Sequence, residues 1–191
     1  MSNLLCFVGL GNPGQQYKDH RHNIGAQLIE NIAIYFNVEL LLHAKTKCRS
    51  AVISVSGKKI HLVIPQSYMN ESGYCIAQYL HFYKIQPTDL IVIHDELDFA
   101  AGQLRFKVSG GHGGHNGLRS IHQHLGTDQY KRIRVGIGHP GHKDKVADYV
   151  LNRPSLKDER LFEDLFNLVL KNWPLFVEES WDKVAMLFHK N

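Results

Sequence analysis

The chain has 191 residues, of which 43% are hydrophobic and 21% charged. This is the make-up of an ordinary folded domain, expected here as one unit over 1–191, and it excludes a disordered or low-complexity polymer. No apolar run approaches the roughly 20 residues of a membrane span, and Met1-Ser2-Asn3-Leu4 opens no secretory leader, so a cytoplasmic protein without a membrane partner is expected. Cys6, Cys48 and Cys75 have no ligand spacing and read as reduced thiols, while a net charge of +4 permits an acidic partner without demanding one.

Leu4 to Val8 is a short apolar run closed by glycine, the pattern of a buried strand. Ile24, Leu28, Ile32 and Phe36 recur at helical spacing and predict an amphipathic helix over 23–37. Ala51, Ile53 and Val55 alternate, Gly57 follows, and Ile60, Leu62 and Ile64 alternate again, which predicts a hairpin. A second helix over 71–83 turns Ile76, Tyr79, Leu80 and Tyr83 inward. Leu90–Ile93 and Leu104–Val108 read as strands, a glycine-rich loop runs from Gly110 to Gly117, and a helix follows to Leu125. Ile133–Ile137 closes the strand set. Ser155 with Asp158 marks a capped helix start, and that helix continues through Leu161, Leu165 and Leu168 until Pro174 breaks it. A last helix carries Val177, Trp181, Val184 and Phe188 inward.

Helices mixed with buried strands imply an α/β domain. The expected architecture is a mixed, twisted β-sheet flanked by helices, with a C-terminal helical segment. Ligand sites in such sheets form at the carboxyl ends of strands. The polar, glycine-rich stretches of this chain all follow strands, so chemistry is sought there.

Gly9-Leu10-Gly11-Asn12-Pro13-Gly14 matches a dinucleotide fingerprint, but the pattern alone is weak. That site needs a helix starting in the loop and an acid ending the next strand. Here Gln15 to Asn23 is a polar stretch, and Glu30 falls within a helix. A dinucleotide enzyme is therefore disfavoured, and no cofactor is expected.

Four segments belong together: Gly9–Gly25 with Asn12, Tyr17, Arg21, His22 and Asn23; Pro65–Gly73 with Tyr68 and Asn70; His94-Asp95-Glu96-Leu97-Asp98; and Lys107–Gly117 with His115 and Asn116. The patterns GLGNPG…Y…RHN, MNxSG, HDELD and GGHGGHNGL, in this order, resemble the bacterial-type peptidyl-tRNA hydrolases over roughly residues 7–143. The last forty residues carry no motif.

The resemblance implies hydrolysis of the ester between a peptide and the 3′ end of tRNA, with water as nucleophile. It assigns the general base to His22, a residue type suited to proton transfer near neutral pH, and its orienting acid to Asp95. It places Asn12 in the catalytic set and Asn70 and Asn116 in the cleft, where a carboxamide both donates and accepts; capping of the following helices is the plainer role for the last two. Tyr17 and Tyr68 match tRNA contacts suited to stacking, with Tyr68 standing where the family commonly has phenylalanine. His115 joins the substrate-binding set. Among the cations Arg105, Lys107, Arg132, Arg134, Lys143 and Lys145, the resemblance favours Lys107, Arg134 and Lys143 for tRNA phosphates. After HDELD the family often shows proline; this chain has Phe99-Ala100-Ala101.

The partner implied is peptidyl-tRNA, held by its acceptor stem and 3′ end, with a monomeric enzyme and no obligate protein partner. No metal is expected: His112 with His115, and His139 with His142, lack a cysteine or carboxylate at ligand spacing, and no HExxH is present. The rival class is a non-catalytic RNA-binding relative. Loss of His22 or Asp95 would favour it, and both are present.

Overall fold

The apolar run Leu4–Gly9 is strand β1, and its side chains divide between two cores. Leu5 and Phe7 face one, Cys6 and Val8 the other. Burial on both faces explains why the run lacks polar alternation. The computed structural model describes residues 3–178 and 180–189; Met1 and Ser2, on which the reading of the amino terminus partly rests, lie outside them. After β1 come α1 (Ile24–Tyr35), β2 (Leu41–His43), β3 (Cys48–Val55), β4 (Lys58–Pro65), α2 (Ser72–Tyr83), β5 (Leu90–Glu96) and β6 (Leu104–Val108). Then follow α3 (Asn116–Leu125), β7 (Lys131–Gly136), α4 (Val146–Val150), α5 (Leu156–Lys171), α6 (Trp173–Glu178) and α7 (Trp181–His189).

The strands form one seven-stranded sheet in the order β2-β3-β4-β1-β5-β7-β6. β4, β1, β5 and β7 are parallel, while β2, β3 and β6 pair antiparallel. The sheet is mixed and flanked by helices, as the residue pattern implied. The β3–β4 hairpin turns on Ser56 and Gly57, at φ of 50° and 75°, the pair of positive values its tight turn requires. β3 begins at Cys48, earlier than the alternation suggested, and β2 is a short edge strand that the periodicity did not reveal. Its Leu41 and Leu42 face solvent, so no buried face marks it.

α2 and α3 cover one face of the sheet; α1 and the C-terminal helices cover the other. The stretch without motifs therefore completes the core. Trp173 lies 4.8 Å from Phe7 by ring centroid, and Phe106 of β6 lies 4.9 Å from Trp181 and 5.7 Å from Phe188. Two expectations here need correction. α5 buries Phe162, Leu165, Phe166 and Val169 rather than the Leu161–Leu165–Leu168 stripe, and Leu161 is exposed. The stripe with two phenylalanines buries more apolar area and sets the rotation of the helix. The last helix is two pieces, with Val177 in α6 and Val184 and Phe188 in α7.

The direction of β6 corrects a further expectation. Val108 pairs with Lys131, at the start of β7, so the glycine-rich loop leaves from the edge opposite the carboxyl ends of the parallel strands. It must climb back over the sheet before α3 begins. A buried arginine holds it there: Arg132 Nη1 donates to Gly111 O at 2.8 Å, and Nη2 donates to Gly110 O. Gly110, Gly113 and Gly114 have φ of 108°, 57° and 83°, which the ascent requires.

Candidate active site

Because β1, β4, β5 and β7 run the same way, the segments after β1, β4 and β5 gather at one edge. The N-termini of α1, α2 and α3 arrive at that edge too, since each helix follows a segment that ends there. Close approach is built into the glycines. A Cβ on Gly9 would lie 2.2 Å from Gly25 O, and one on Gly25 would lie 2.2 Å from Ile93 O. Gly9, the first glycine of the apparent dinucleotide fingerprint, thus lets α1 sit on the β1 backbone, and Gly25 of α1 lets it sit on β5.

His22 sits in the 3-10 turn Arg21–Asn23 ahead of α1, and Asp95 near the end of β5. Both are buried, and His22 Nδ1 lies 2.9 Å from each carboxylate oxygen of Asp95. His115 Nε2 lies 2.9 Å from Asp95 Oδ1. Burial by itself raises the Asp95 carboxyl, but His22 and His115, through charge and hydrogen bonds, outweigh it and hold the group well below the usual carboxylate range. Desolvation is likewise the largest influence on His22 and lowers its pKa; the Asp95 charge and hydrogen bond together overcome it, for a net rise above 6.5. An ionised Asp95 accepts a hydrogen bond from His22 Nδ1–H, which leaves the Nε2 lone pair as the basic site.

His115 is fixed more tightly still. Its Nδ1 accepts from Gly117 N at 3.1 Å and Leu118 N at 3.4 Å, so it is the N-cap of α3. The hydrogen must then be on Nε2, where it is donated to Asp95. His115 therefore stands behind Asp95 as a brace, a place the substrate-binding expectation did not foresee. The capping alternative for Asn116 is corrected as well: the cap belongs to His115, and Asn116 is exposed with Oδ1 3.3 Å from Arg119 Nη1. Asn70 is also exposed, and the turn holding it has no side-chain cap.

Asn12 has divided its carboxamide. Oδ1 accepts from Met69 N at 2.8 Å, ahead of α2, so only the NH2 group remains to face a ligand. Asn23 braces this residue from behind: its Oδ1 accepts from Asn12 N and its Nδ2 donates to Asn12 O, both at 2.9 Å. Its presence in the RHN motif was the available sequence signal for that role. Tyr17 and Tyr68 come together edge to face at 6.5 Å, with Tyr68 56% exposed.

The cations divide. Lys143 is exposed. Arg134 packs 4.8 Å over the Phe99 ring and lies 3.9 Å from Glu96; desolvation lowers its pKa. Lys107 of β6 lies opposite Arg132 of β7, which is itself opposite Val92, three residues before Asp95. That places Lys107 roughly 10 Å below the acid and two strands across. Arg132 is 2% exposed and belongs to the loop anchor, which removes it from the basic set.

Among the described residues, His22, Asp95 and His115 offer ligand-type atoms within 4.8 Å of one another. Coordination would need lone pairs on His22 Nδ1 and His115 Nε2, and both nitrogens carry the hydrogens given to Asp95. Moving the His115 hydrogen to Nδ1 would break the α3 cap. As placed, the three side chains form one hydrogen-bonded cluster centred on Asp95.

Comparison with known proteins identifies the family to which the fold belongs. A family model described as peptidyl-tRNA hydrolase matches residues 6–191. The peptidyl-tRNA hydrolase of Delftia acidovorans is 46% identical over 186 residues, 97% of this chain and 90% of that protein. That of Francisella tularensis subsp. novicida is 49% identical over 160 residues, 84% of each chain. The crystal structure of peptidyl-tRNA hydrolase from Acinetobacter baumannii superimposes with a TM-score of 0.90 at 36% identity, covering 99% of this chain and 94% of the other. With the family model spanning nearly the whole sequence, this chain is a member of the peptidyl-tRNA hydrolase family.

Proposed function

We propose that the chain, acting as one domain, hydrolyses the ester between a peptide and the 3′ end of tRNA with His22 as general base. The observation that carries this reading is the pair of 2.9 Å contacts from His22 Nδ1 to a buried, ionised Asp95. The free Nε2 takes a proton from water as oxygen adds to the ester carbonyl. When the tetrahedral intermediate collapses, the His22 imidazolium returns that proton to the departing 3′ oxygen. The NH2 group of Asn12 is the polar donor left unpaired by its own fold contacts, and it is suited to hold the developing oxyanion. Asn70 and Asn116, exposed on the same edge, grip peptide carbonyls and amides without regard to side chain.

Tyr17 and Tyr68 supply aromatic faces for the terminal bases of the tRNA. Lys143 and Lys107 take phosphates of the acceptor stem, with a smaller share for Arg134 because it is already paired. The converging helix N-termini favour the same anionic ligand. Free, buried cysteines suit the cytoplasm, where translation releases this substrate.

The test is His22→Ala assayed on N-acetyl-aminoacyl-tRNA. Turnover is expected to fall about 10²–10⁴-fold while tRNA binding persists. Undiminished turnover refutes the reading.

A further inference from the structure

Arg21 precedes the base and is 9% exposed, yet its guanidinium points to the carboxyl end of α4. Nη1 lies 3.2 Å from Tyr149 O, 3.2 Å from Asn152 O and 2.7 Å from Arg153 O. The guanidinium carbon stands 4.0 Å over the Tyr149 ring, and Nη2 is 4.0 Å from the Asp158 carboxylate. The Arg21 amide donates to Asn152 O at 3.1 Å, and Arg153 pairs with Asp19. Asp19 and Arg21 are thus tied several times over to Tyr149, Asn152 and Arg153.

The connection continues to the acid. Tyr149 Oη donates to Ile137 O at 2.6 Å, and Ile137 N donates to Glu96 O at 3.0 Å. Glu96 follows Asp95. A closed circuit therefore runs from base to acid through Arg21, Tyr149, Ile137 and Glu96, and closes again at the His22–Asp95 contact. Between Ile137 and Tyr149 lie Lys143 and Lys145, both exposed. His22 itself occupies a three-residue turn whose N-cap, His20, makes no side-chain cap bond. So short a turn has little intrinsic rigidity, and the ring needs an outside support.

We propose that Arg21 is a positioning residue: by binding the end of α4 it holds the His22 imidazole against Asp95 and couples the base to the Gly138–Lys145 segment. The proposal rests on His22 as base. Loss of that support turns the imidazole without changing what the cleft binds, so the effect belongs in kcat. A misplacement of about 1 Å is enough for a loss on the order of 10²-fold.

The experiment compares Arg21→Gln and Arg21→Lys with the unaltered enzyme and with His22→Ala on N-acetyl-aminoacyl-tRNA. The readouts are kcat, KM, the pH profile of kcat, tRNA affinity against salt, and Tm. For Arg21→Gln, kcat is expected to fall roughly 10–100-fold with KM within about threefold, and Arg21→Lys to recover part of the loss. The acidic limb of the profile should move to lower pH, because a loosened His22–Asp95 bond no longer holds the imidazole pKa up. The salt slope of tRNA binding should stay as it was.

An unchanged kcat and limb overturn the proposal. So does a loss confined to KM with a smaller salt slope, which makes Arg21 a phosphate contact. A loss that follows only the unfolded fraction, with the folded enzyme keeping its pH limb, overturns it equally. If the Arg21 variants do not fold, Tyr149→Leu removes the ring beneath the guanidinium and is judged by the same readouts. Should His22→Ala turn over normally, the base assignment fails; should it be inactive while Arg21→Gln is fully active, only the positioning role fails.

Discussion

His115 donates its Nε2 hydrogen to Asp95 Oδ1, one of the two carboxylate oxygens that face His22, because its Nδ1 is occupied by the Gly117 and Leu118 amides. One side chain therefore caps α3 and braces the acid. Asp95 has a donor on each side, which holds it ionised and in one rotamer.

His115→Asn separates these duties. Asparagine caps helices well but is too short to serve Asp95. Tm should fall by only a few degrees, for the donor lost to a buried carboxylate, while kcat falls about tenfold, as expected for a disturbed second partner of the proposed orienting acid. With one donor gone, the carboxylate binds His22 more strongly, so the acidic limb of the kcat profile should move to higher pH. A pH-rate series reads this, and a limb moved the other way contradicts the brace.

The structural contact of Asn12 and its proposed role as oxyanion donor are distinguished by an isosteric change. Asn12→Asp keeps an oxygen for Met69 N but loses the NH2 donor. Thermal melting should stay near that of the parent, while kcat drops about 10²-fold, the usual result of losing one oxyanion donor. Asn12→Ala should lose stability as well. Equal activity of the Asp variant and the parent in single-turnover assays would remove Asn12 from the catalytic set.

Arg132 and Lys143 should behave oppositely. Arg132→Met leaves Gly110 O and Gly111 O without their donor and frees the loop. The expected cost is about 3 kcal/mol, or roughly 10 °C in Tm. Lys143→Ala should leave Tm alone and reduce the salt slope of tRNA binding by about 1. Filter binding at several salt concentrations, beside calorimetry, decides between these roles.

Stability should fall on the acid side of neutrality for a reason unrelated to catalysis. Desolvation lowers His61 to about 4 and His94 to about 3, with Lys59 and His115 respectively adding to the effect. An unfolded chain binds those protons near 6.5, so the contribution of both residues is present above that pH and is lost as pH falls from about 6.5 toward 4. Asp95 adds a loss below the ordinary carboxylate range. His22, with its pKa raised, works the other way: its contribution is full below about 6.5 and declines as pH rises through its folded value. His61→Gln should flatten the fall between pH 6.5 and 4 by up to about 1.4 kcal/mol per pH unit. Urea midpoints across that range measure it, and an unaltered slope rejects the assignment.

Local residue spacing was enough to read the strongly periodic elements and to single out the candidate segments. β1, α1, the β3–β4 hairpin and α2 are set by local spacing, and the glycines at 9 and 25 mark where backbones meet. The His22, Asp95 and Asn12 positions were legible because their motifs are short, ordered and chemically specific. His112, His115, His139 and His142 each accept a backbone amide two residues on, so many imidazoles shape turns.

Which partner each polar group meets emerges only once the chain is folded. The reversed direction of β6, the burial of Arg132 beneath the returning loop, and the rotation of α5 toward its phenylalanines depend on contacts between distant segments. Arg21 shows the point most clearly: its acceptors lie 128 to 132 residues away. Local spacing fixes which face of a helix or strand is apolar. It carries no information on which carbonyls, amides or carboxylates from elsewhere in the chain will satisfy a given side chain once water has been excluded.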